Sequence, residues 1–492
     1  MNAPATMTME QAEAMLKPGR LLIGGEWISK GAGEFVHINP TTGTAHPPIV
    51  MAGASEVNDA VQAARAGFKV WHGLPVDARR DALLRMADLI RQHAAELATL
   101  VTLDNGSPTI LAMAGSKACA DNFTYYAGWV DKIGGDVIPV WPATALDYAI
   151  HEPYGVIGAI IPWNVPLYNI GQVVAPALAA GNAIVLKAPE LAPFAVLRIG
   201  ELIAEAGIPA GVVNIVAGGP ECGAAMVAHQ GIDKIHFIGS GNTAKHIMRS
   251  AADTLKPLTC ELGGKSANIV FPDADLRAAC AQAAFHSMGN TGQGCLIASR
   301  LLVHDSIYDQ FVPMVLGVIQ SIKVGNPLEQ GVMIGPVITS QAADRIMGVI
   351  EQAKAAADGQ LILGGERLGG ELANGNFIAP TVFGDVSNSS SLAQNEVFGP
   401  VLAVIRFSDE DEAIQIANDT EFGLAAYVHT HDLRRAHRTA AALESGTVWI
   451  NSSGLQIGAP FGGVKQSGWG RMGGKYGLED FMRPKNVYIP LT

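Results

Sequence analysis

Two kinds of hydrophobic pattern divide the chain. From Tyr154 onward, short apolar runs such as "YGVIGAIIP", "NAIVLKAP" and "GVVNIVAG" alternate with helix-like segments such as "LYNIGQVVAPALAAG" and "FAVLRIGELIAEAG". Uninterrupted apolar strands separated by helices are typical of a parallel sheet that is buried on both faces. The sequence therefore predicts a doubly wound α/β domain that continues through "IDKIHFIGS".

The segments on either side of this domain have different patterns. Earlier in the chain, "SEVNDAVQAARAGFKVW" and "RRDALLRMADLIRQHAAELATLVTLD" carry apolar residues at three- and four-residue spacing, which predicts helices, with Ser55 as an N-cap. After Glu261, "SANIVFP", "PTVFGDV" and "PVLAVIRF" predict a second α/β domain. The terminal "RPKNVYIPLT" alternates loosely and predicts a strand that pairs at an interface.

Composition narrows the functional classes. A chain of 492 residues is expected to form two or three domains, and 49% hydrophobic with 16% charged residues favours a compact globular protein. The net charge of −12 and the lack of basic runs argue against a nucleic-acid partner. The most apolar stretches are interrupted before they reach the ~20 residues that span a bilayer, so no membrane partner is expected.

The cysteines and the N-terminus predict a compartment. Five widely spaced cysteines contain no CxxC pair, which argues against a metal site and favours reduced thiols. The start "MNAPATMTMEQAEAMLKPGR" lacks the basic and apolar regions of a secretory signal. We therefore expect a cytoplasmic protein without a metal.

One cysteine lies in an unusual context. The stretch "GNTGQGCLIASR" places Cys295 after three glycines, a pattern that fits either a tight connection with a buried thiol or an accessible nucleophile. Only the thiolate is nucleophilic, so a reactive Cys295 needs a nearby positive potential, a base or a cofactor.

Polar residues follow several predicted strands. Asn164 in "IIPWNVP" is either a turn residue or an amide aimed at a ligand, because strand ends of α/β sheets meet ligands. Lys187 and Glu190 in "VLKAPE" form either an ion pair or a joint contact to ribose hydroxyls. "FIGSGN" precedes a predicted helix whose N-terminus suits phosphate, although the full GxGxxG fingerprint is missing.

Two glutamates have apolar and glycine-rich surroundings. Glu261 precedes two glycines in "CELGGKSANIVF", and Glu396 precedes Phe398 in "NEVFGPVLAV". Burial raises the pKa of a carboxyl group toward the range that is useful for a general base. Both glutamates are therefore candidates for a functional role, such as that of a general base, and not only for solvent-exposed surface positions.

Together these segments resemble the aldehyde dehydrogenase superfamily. "PWN", "ELGGK", "GQGC", "EVFGP" and "PFGGVKQSG" stand in that family's order and at about its spacing, from "LLIGGEW" to near the end of the chain. The resemblance implies a Rossmann-like nucleotide-binding domain (1–129 and 149–261), an α/β catalytic domain (262–471) and a small β oligomerisation element (130–148 and 472–492). It also implies a homodimer or a homotetramer.

The resemblance also implies a role for individual residues. Cys295 matches the nucleophile, Glu261 the base that activates water, and Asn164 the amide that stabilises the oxyanion. The predicted cofactor contacts are Trp163, Lys187, Glu190, Gly219, Ser240, Glu396 and Phe398. The predicted lining of the aldehyde tunnel is Val165, Asn169, Gln172, Leu296, Leu455 and Phe461. Only Phe461 is aromatic in that last set, which predicts a wider or more polar tunnel.

The implied reaction oxidises an aldehyde to a carboxylic acid through a cysteine thiohemiacetal and thioester. NAD is the expected cofactor, with NADP left open, and the substrate is a small-molecule aldehyde that the sequence does not name. Ala244 and Gly241 depart from the family pattern at the phosphate site, and Gly294 and Leu296 leave no thiol beside Cys295. The alternatives are a CoA-acylating aldehyde dehydrogenase, a cysteine-dependent esterase and a catalytically silent protein of the same fold.

Overall fold

The structure is a computed structural model and describes residues 7–491. Its strands are β1 Leu21–Ile23, β2 Glu26–Ile28, β3 Gly33–Phe35, β4 Ile49–Met51, β5 Asp136–Ile138, β6 Ala145–Pro153, β7 Val156–Ile160, β8 Ala183–Pro189, β9 Val213–Gly218, β10 Lys234–Ile238, β11 Leu258–Glu261, β12 Ala267–Val270, β13 Arg300–His304, β14 Gln360–Leu363, β15 Thr381–Gly384, β16 Val401–Phe407, β17 Phe422–Gly423, β18 Ala425–His429, β19 Thr447–Ile450, β20 Val464–Lys465, β21 Gly468–Trp469 and β22 Met482–Pro490.

The α-helices complete the element order. They are α1 Met9–Glu13, α2 Ala54–Gly73, α3 Val76–Gln92, α4 Ala94–Asn105, α5 Thr109–Ala127, α6 Pro166–Ala179, α7 Phe194–Glu205, α8 Pro220–Ala228, α9 Gly241–Ala252, α10 Leu276–Met288, α11 Asp305–Ser321, α12 Ser340–Ala356, α13 Ser391–Gln394, α14 Glu410–Asn418, α15 Leu433–Ala442 and α16 Gly474–Glu479. Among residues 7–491, no helix is both long and apolar enough to cross a membrane.

The first sheet has eight strands in the order β2-β1-β9-β8-β7-β10-β11-β21. Strands β7 to β11 run parallel, and every residue of β7, β8, β9 and β10 is buried. Apolar strands that are buried on both faces need helices on both sides, which the intervening helices α6 to α9 supply. The alternation predicted from Tyr154 onward is confirmed.

The helical region before the first sheet begins differently from the prediction. Helix α2 starts at Ala54, and the Gly53 backbone N–H donates to Glu56 Oε2 at 2.7 Å. Ser55 therefore lies inside the first turn, and its prediction as an N-cap is wrong. The Glu56 carboxylate stabilises this end because it binds an amide that the helix leaves free.

The second sheet has seven strands in the order β14-β15-β16-β13-β12-β18-β19. Its strands run parallel except for β14, which pairs antiparallel with β15. The predicted second α/β region after Glu261 is therefore present. The loops that follow α10 and α13, which belong to this region, approach the carboxyl ends of the first sheet's strands and position the site described below.

A separate three-stranded antiparallel sheet has the order β22-β6-β5. Strand β22 pairs with β6 over nine residues, from Met482 opposite Pro153 to Pro490 opposite Ala145. The predicted terminal strand is thus present, while its place at an interface stays a prediction. The predicted domain boundaries also stay predictions, and residues 1–6 and 492 of those ranges lie outside the described residues.

Candidate active site

The loop that carries Cys295 has an unusual backbone. Helix α10 ends at Met288, and Asn290, Thr291 and Gly292 then adopt φ values of 48°, 58° and 70°. A side chain at Gly292 would overlap the Gly399 carbonyl, so glycine is required at this close approach. Three left-handed residues in a row are costly and persist only where the surroundings hold them.

Cys295 is partly exposed as a residue, but its sulfur is buried and close to two carboxyl groups. Burial of the sulfur, then the charges of Glu396 and Glu261, raises the pKa of Cys295 to about 12. The charges that shift this pKa are thus negative, and the group rests as a thiol at neutral pH. The other four cysteines, Cys119, Cys222, Cys260 and Cys280, are buried.

Asn164 joins the first sheet to the cysteine loop. It lies between β7 and α6, is buried, and its Nδ2 donates to the Gln293 carbonyl at 3.1 Å. Its own carbonyl accepts hydrogen bonds from the side chains of Asn105 and Asn290, at 3.1 and 3.2 Å. These contacts hold both the backbone and the side-chain amide of Asn164 beside the loop of Cys295, which is more than a simple turn residue requires.

Glu261 ends strand β11 and is buried. Neither carboxylate oxygen has a hydrogen-bond partner among the described residues. Burial raises its pKa well above the ordinary range, with a smaller opposing effect from Arg471 and a smaller raising effect from Asp480. An added Cβ at Gly462 would lie 2.6 Å from Glu261 Oε1, so the glycine leaves space for this carboxylate.

Glu396 is the second carboxylate and lies between α13 and β16. Its Oε1 accepts the Gly264 backbone N–H at 3.1 Å. Burial raises its pKa to about 7, against the opposing effects of the Gly264 N–H, Lys265 and Arg345. Glu396 therefore changes its charge near neutral pH.

The predicted dinucleotide contacts lie around the carboxyl ends of the first sheet's strands. Lys187, on β8, is buried, and its Nζ lies 3.2 Å from Glu190 Oε2, so the pair forms an ion pair at the end of the strand. Ser240 caps helix α9, with its Oγ accepting the Thr243 N–H at 3.3 Å. Gly219 caps α8.

The space around these residues fits a dinucleotide. An added Cβ at Gly219 or Gly241 would meet no atom within 4 Å, so both helix N-termini open onto free space that suits phosphate. Trp163 and Phe398 contact each other edge to face, with ring centroids 5.6 Å apart. Ala244 lies in the first turn of α9 and is buried in the core.

The predicted tunnel residues come from three segments. Val165, Asn169 and Gln172 lie on or before α6, Leu296 follows Cys295, and Leu455 and Phe461 lie beyond β19. Val165 is 38% exposed, whereas Asn169 and Gln172 are each 3% exposed. Aromatic rings do occur beside Leu296, because Tyr427 donates to its carbonyl at 3.0 Å and stacks on Trp449.

Comparison with known proteins decides the family. The model of the aldehyde dehydrogenase family matches residues 27–487. The chain belongs to the aldehyde dehydrogenase family. It is 44% identical to an aldehyde dehydrogenase of Emericella nidulans over 96% of both chains. It is also 40% identical to human retinal dehydrogenase 2, over 97% of this chain and 92% of that one.

Solved structures of aldehyde dehydrogenases confirm the predicted fold class. The NAD+ complex of a Bacillus cereus aldehyde dehydrogenase matches 99% of this chain and 100% of that one, with a TM-score of 0.95 and 39% identity. HpcC from Thermus thermophilus matches 98% and 95% of the two chains, with a TM-score of 0.95 and 40% identity. The resemblance drawn from the motifs is confirmed.

Sequence reasoning missed several residues that hold this aldehyde dehydrogenase site together. Asn105, at the end of α4, donates to the Trp163 carbonyl at 2.9 Å, and Ser107 Oγ donates to Asn290 Oδ1 at 2.6 Å. Their only sequence signal is the turn-like "DNGSP", which points to a helix end and not to a site. Arg471 was also missed, although it follows a motif that was recognised.

Proposed function

We propose that this aldehyde dehydrogenase oxidises an aldehyde to its carboxylic acid with Cys295 as nucleophile and NAD as hydride acceptor. The observation that supports the proposal is a cysteine whose loop is hydrogen-bonded to Asn164 and whose pKa is raised by burial and then by the charges of Glu396 and Glu261. The Glu261 oxygens have no partner among the described residues. A nucleophile, an amide donor and a base are the groups that acyl chemistry at a carbonyl requires.

The chain's residues have separate roles in this mechanism. Cys295 gives its thiol proton to solvent water, the resulting thiolate attacks the carbonyl carbon, and the oxyanion that forms accepts hydrogen bonds from Asn164 Nδ2 and the Cys295 backbone N–H. NAD, which Lys187, Glu190 and Glu396 would hold, would supply the acceptor for the hydride that leaves this carbon. The product is a thioester on Cys295.

Glu261 acts in the second half of the reaction. Its carboxylate takes a proton from water, the hydroxide equivalent attacks the thioester carbon, and the Cys295 thiolate leaves as the acid is released. A raised pKa makes Glu261 a stronger base than an exposed glutamate. Both oxygens are free of protein partners among the described residues, which leaves them available for that water.

NAD is preferred over NADP in this proposal. The Glu190 carboxylate can accept hydrogen bonds from a ribose 2′-hydroxyl but repels a 2′-phosphate. Two structural relatives of this chain are described as NAD+ complexes, from Bacillus cereus and for an indole-3-acetaldehyde dehydrogenase. A kcat/KM that favours NADP would overturn this preference.

We also infer a homo-oligomer in the cytosol, a dimer or a tetramer, in which β5, β6 and β22 form the oligomerisation element. This sheet exposes apolar side chains, with Val137 at 76% and Trp141 in the adjoining loop at 90%. Light scattering after gel filtration measures the mass. The five cysteines, all unpaired, fit a reducing compartment.

Formation of NADH from NAD and an aldehyde, followed by absorbance, tests the proposal. Cys295→Ser should abolish turnover but keep NAD binding, because a hydroxyl is a far weaker nucleophile than a thiolate. Cys280→Ser is the matched control, since this buried cysteine lies on α10 away from the strand ends. Adding CoA and finding an acyl-CoA product would favour the CoA-acylating alternative, and ester hydrolysis without NADH would favour the esterase.

A further inference from the structure

Two buried amides on helix α6 have unused hydrogen-bonding atoms. Asn169 and Gln172 are three residues apart and therefore share one face of the helix. Asn169 Nδ2 and Gln172 Oε1 are buried without a hydrogen-bond partner among the described residues. Asn169 Nδ2 is a donor and Gln172 Oε1 is an acceptor, so this face of α6 has one free donor and one free acceptor. We call these two atoms the unmatched pair.

Neighbouring side chains fix the orientation of the Gln172 amide. Its Nε2 donates to Asn122 Oδ1 at 3.2 Å and to the Tyr168 hydroxyl at 3.3 Å. Rotating the amide would place two acceptors, Gln172 Oε1 and Asn122 Oδ1, against each other. The free atom of Gln172 is therefore its oxygen.

This face of α6 lies beside the reacting groups. The helix begins two residues after Asn164, whose side chain is bonded to the loop of Cys295. Burial, and after it the charges of Cys295 and Glu261, raises the pKa of Tyr168, so its hydroxyl lies within electrostatic range of both groups. Gln172 is hydrogen-bonded to that hydroxyl, so one Tyr168 side chain links the unmatched pair to the surroundings of the thiol.

A buried donor or acceptor without a partner costs about 1–3 kcal/mol, and an occupant that supplies both partners removes this cost. A hydroxyl group can donate to Gln172 Oε1 and accept from Asn169 Nδ2 at the same time. A carboxylate cannot donate to Gln172, and an ammonium group cannot accept from Asn169. The chemistry of the pair therefore selects a neutral group that both donates and accepts.

We propose that Asn169 and Gln172 form a specificity subsite that selects aldehydes carrying a hydroxyl group on the part of the molecule distant from the carbonyl. The proposal rests on the function proposed above, because it assigns the substrate class of that same site. An apolar aldehyde would leave the pair unmatched, or would displace a bridging water without replacing its hydrogen bonds. Sites that hydrogen-bond a substrate hydroxyl reject the analogue that lacks it more strongly than apolar pockets reject a change of size.

Matched substrates test the subsite. The probes are 4-(hydroxymethyl)benzaldehyde against 4-ethylbenzaldehyde, and 8-hydroxyoctanal against nonanal, each pair differing by a hydroxyl in place of a methyl group. We expect kcat/KM to favour the hydroxylated member at least tenfold in one pair or both. Gln172→Met and Asn169→Leu keep the side-chain size but remove the free atoms, and each should reduce that preference to threefold or less.

The ratio of the two kcat/KM values separates a loss of specificity from a general loss of activity. A residue with a merely structural role would change kcat/KM for both substrates by the same factor. Asn268→Leu is the control, since Asn268 is an equally buried amide without partners among the described residues and lies on β12 of the second sheet. It should leave the ratio unchanged. If one amide variant fails to fold, the other still decides the result.

Any one of three outcomes would overturn the proposed subsite. The wild-type protein could prefer the hydroxylated aldehyde by less than threefold in both pairs, or its preference could survive in both Gln172→Met and Asn169→Leu. The third outcome is a higher kcat/KM for 4-carboxybenzaldehyde than for 4-(hydroxymethyl)benzaldehyde. Each of these leaves the proposed oxidation intact. The absence of NADH formation with every aldehyde would instead overturn the proposed function itself.

Discussion

Two buried glutamates face the same cysteine from different surroundings. Glu261 ends a central strand, and neither of its oxygens has a partner among the described residues. Glu396 lies in a loop, accepts the Gly264 N–H and has Lys265 and Arg345 nearby. The Glu261 carboxylate is thus left free of protein partners among the described residues, whereas the Glu396 carboxylate is held by a hydrogen bond.

The difference follows from the backbone around each residue. A strand end surrounded by glycines gives Glu261 space without donors, and this space suits water. The loop before β16 brings Glu396 up to a backbone amide and basic neighbours, which is suited to holding a ligand in position. The comparison predicts that Glu261 acts in chemistry and Glu396 in binding.

The largest effect is expected from Glu261→Gln. The amide is close in shape but cannot take a proton from water, so steady-state turnover should fall by ~10²–10⁴-fold. The first hydride transfer should still occur, giving an NADH burst of up to one equivalent and an acyl mass on Cys295. Glu396→Gln is the matched control and should give no such adduct. An unchanged steady-state rate for Glu261→Gln would remove this residue from the mechanism.

The space beside Glu261 can be filled without changing the carboxylate. In Gly462→Ala, at a residue with φ of 155°, the new methyl group would lie 2.6 Å from Glu261 Oε1 and 2.8 Å from the Gly470 carbonyl oxygen. Moving the carboxylate by about 1 Å to relieve this contact can reduce the rate by about 10²-fold. Gly458→Ala is the control, because the nearest atom to its added methyl group is 3.7 Å away. Pre-steady-state kinetics should assign the loss to thioester hydrolysis. Equal rates in the two variants would show that this space is not needed.

Glu396 should make NAD binding depend on pH. Its pKa of about 7 means that the charged form, the stronger hydrogen-bond acceptor for ribose hydroxyls, predominates only above neutrality. NAD affinity measured by calorimetry should therefore increase by roughly two- to tenfold from pH 6 to pH 8 if one charged hydrogen bond is gained. The Glu396→Gln variant should bind NAD weakly at both pH 6 and pH 8. The control is Glu366→Gln, at an exposed position, which should bind NAD as the wild type does. A pH dependence that persists in Glu396→Gln contradicts the assignment.

The smallest effect concerns stability. Both carboxyl groups have raised pKa values in the folded protein, so their protonated forms favour folding. This contribution is fully present below the pKa of the unfolded chain and is lost as pH increases through the folded value. Glu261→Gln should therefore increase the Tm by roughly 1–4 °C at pH 8 and by less at pH 5, as measured by calorimetry. A lower Tm at pH 8 would mean that the carboxylate has a stabilising partner.

The sequence predicted much of this arrangement because short motifs coincide with strand ends. Asn164, Glu261 and Cys295 each follow or precede a clear apolar strand, and the family resemblance orders them. Asn105 and Ser107 were not found, because their contacts join α4 to a loop far along the chain and leave only a turn signal. Ser55 was misassigned because Glu56 caps the helix from within its first turn.

The pKa values and the hydrogen-bonding state of the site residues could not be predicted from the local sequence either. The pKa of Cys295 depends on burial and then on Glu396 and Glu261, which lie apart in the chain and meet only in the folded protein. The same holds for the free atoms of Asn169 and Gln172, since their lack of partners among the described residues is a property of the whole site.

The pairing of β11 with β21 makes the strand that carries Glu261 depend on a segment far along the chain. Cys260 and Glu261 lie opposite Trp469 and Gly468, and the Thr259 hydroxyl donates to Asp480 at 2.6 Å. These are contacts of very long sequence separation, and such contacts form late in folding. On a nascent chain, the strand that carries Glu261 remains an open edge of the first sheet until residues 468–469 of β21 have left the ribosome. A prematurely terminated chain would therefore lack this pairing as well as β22.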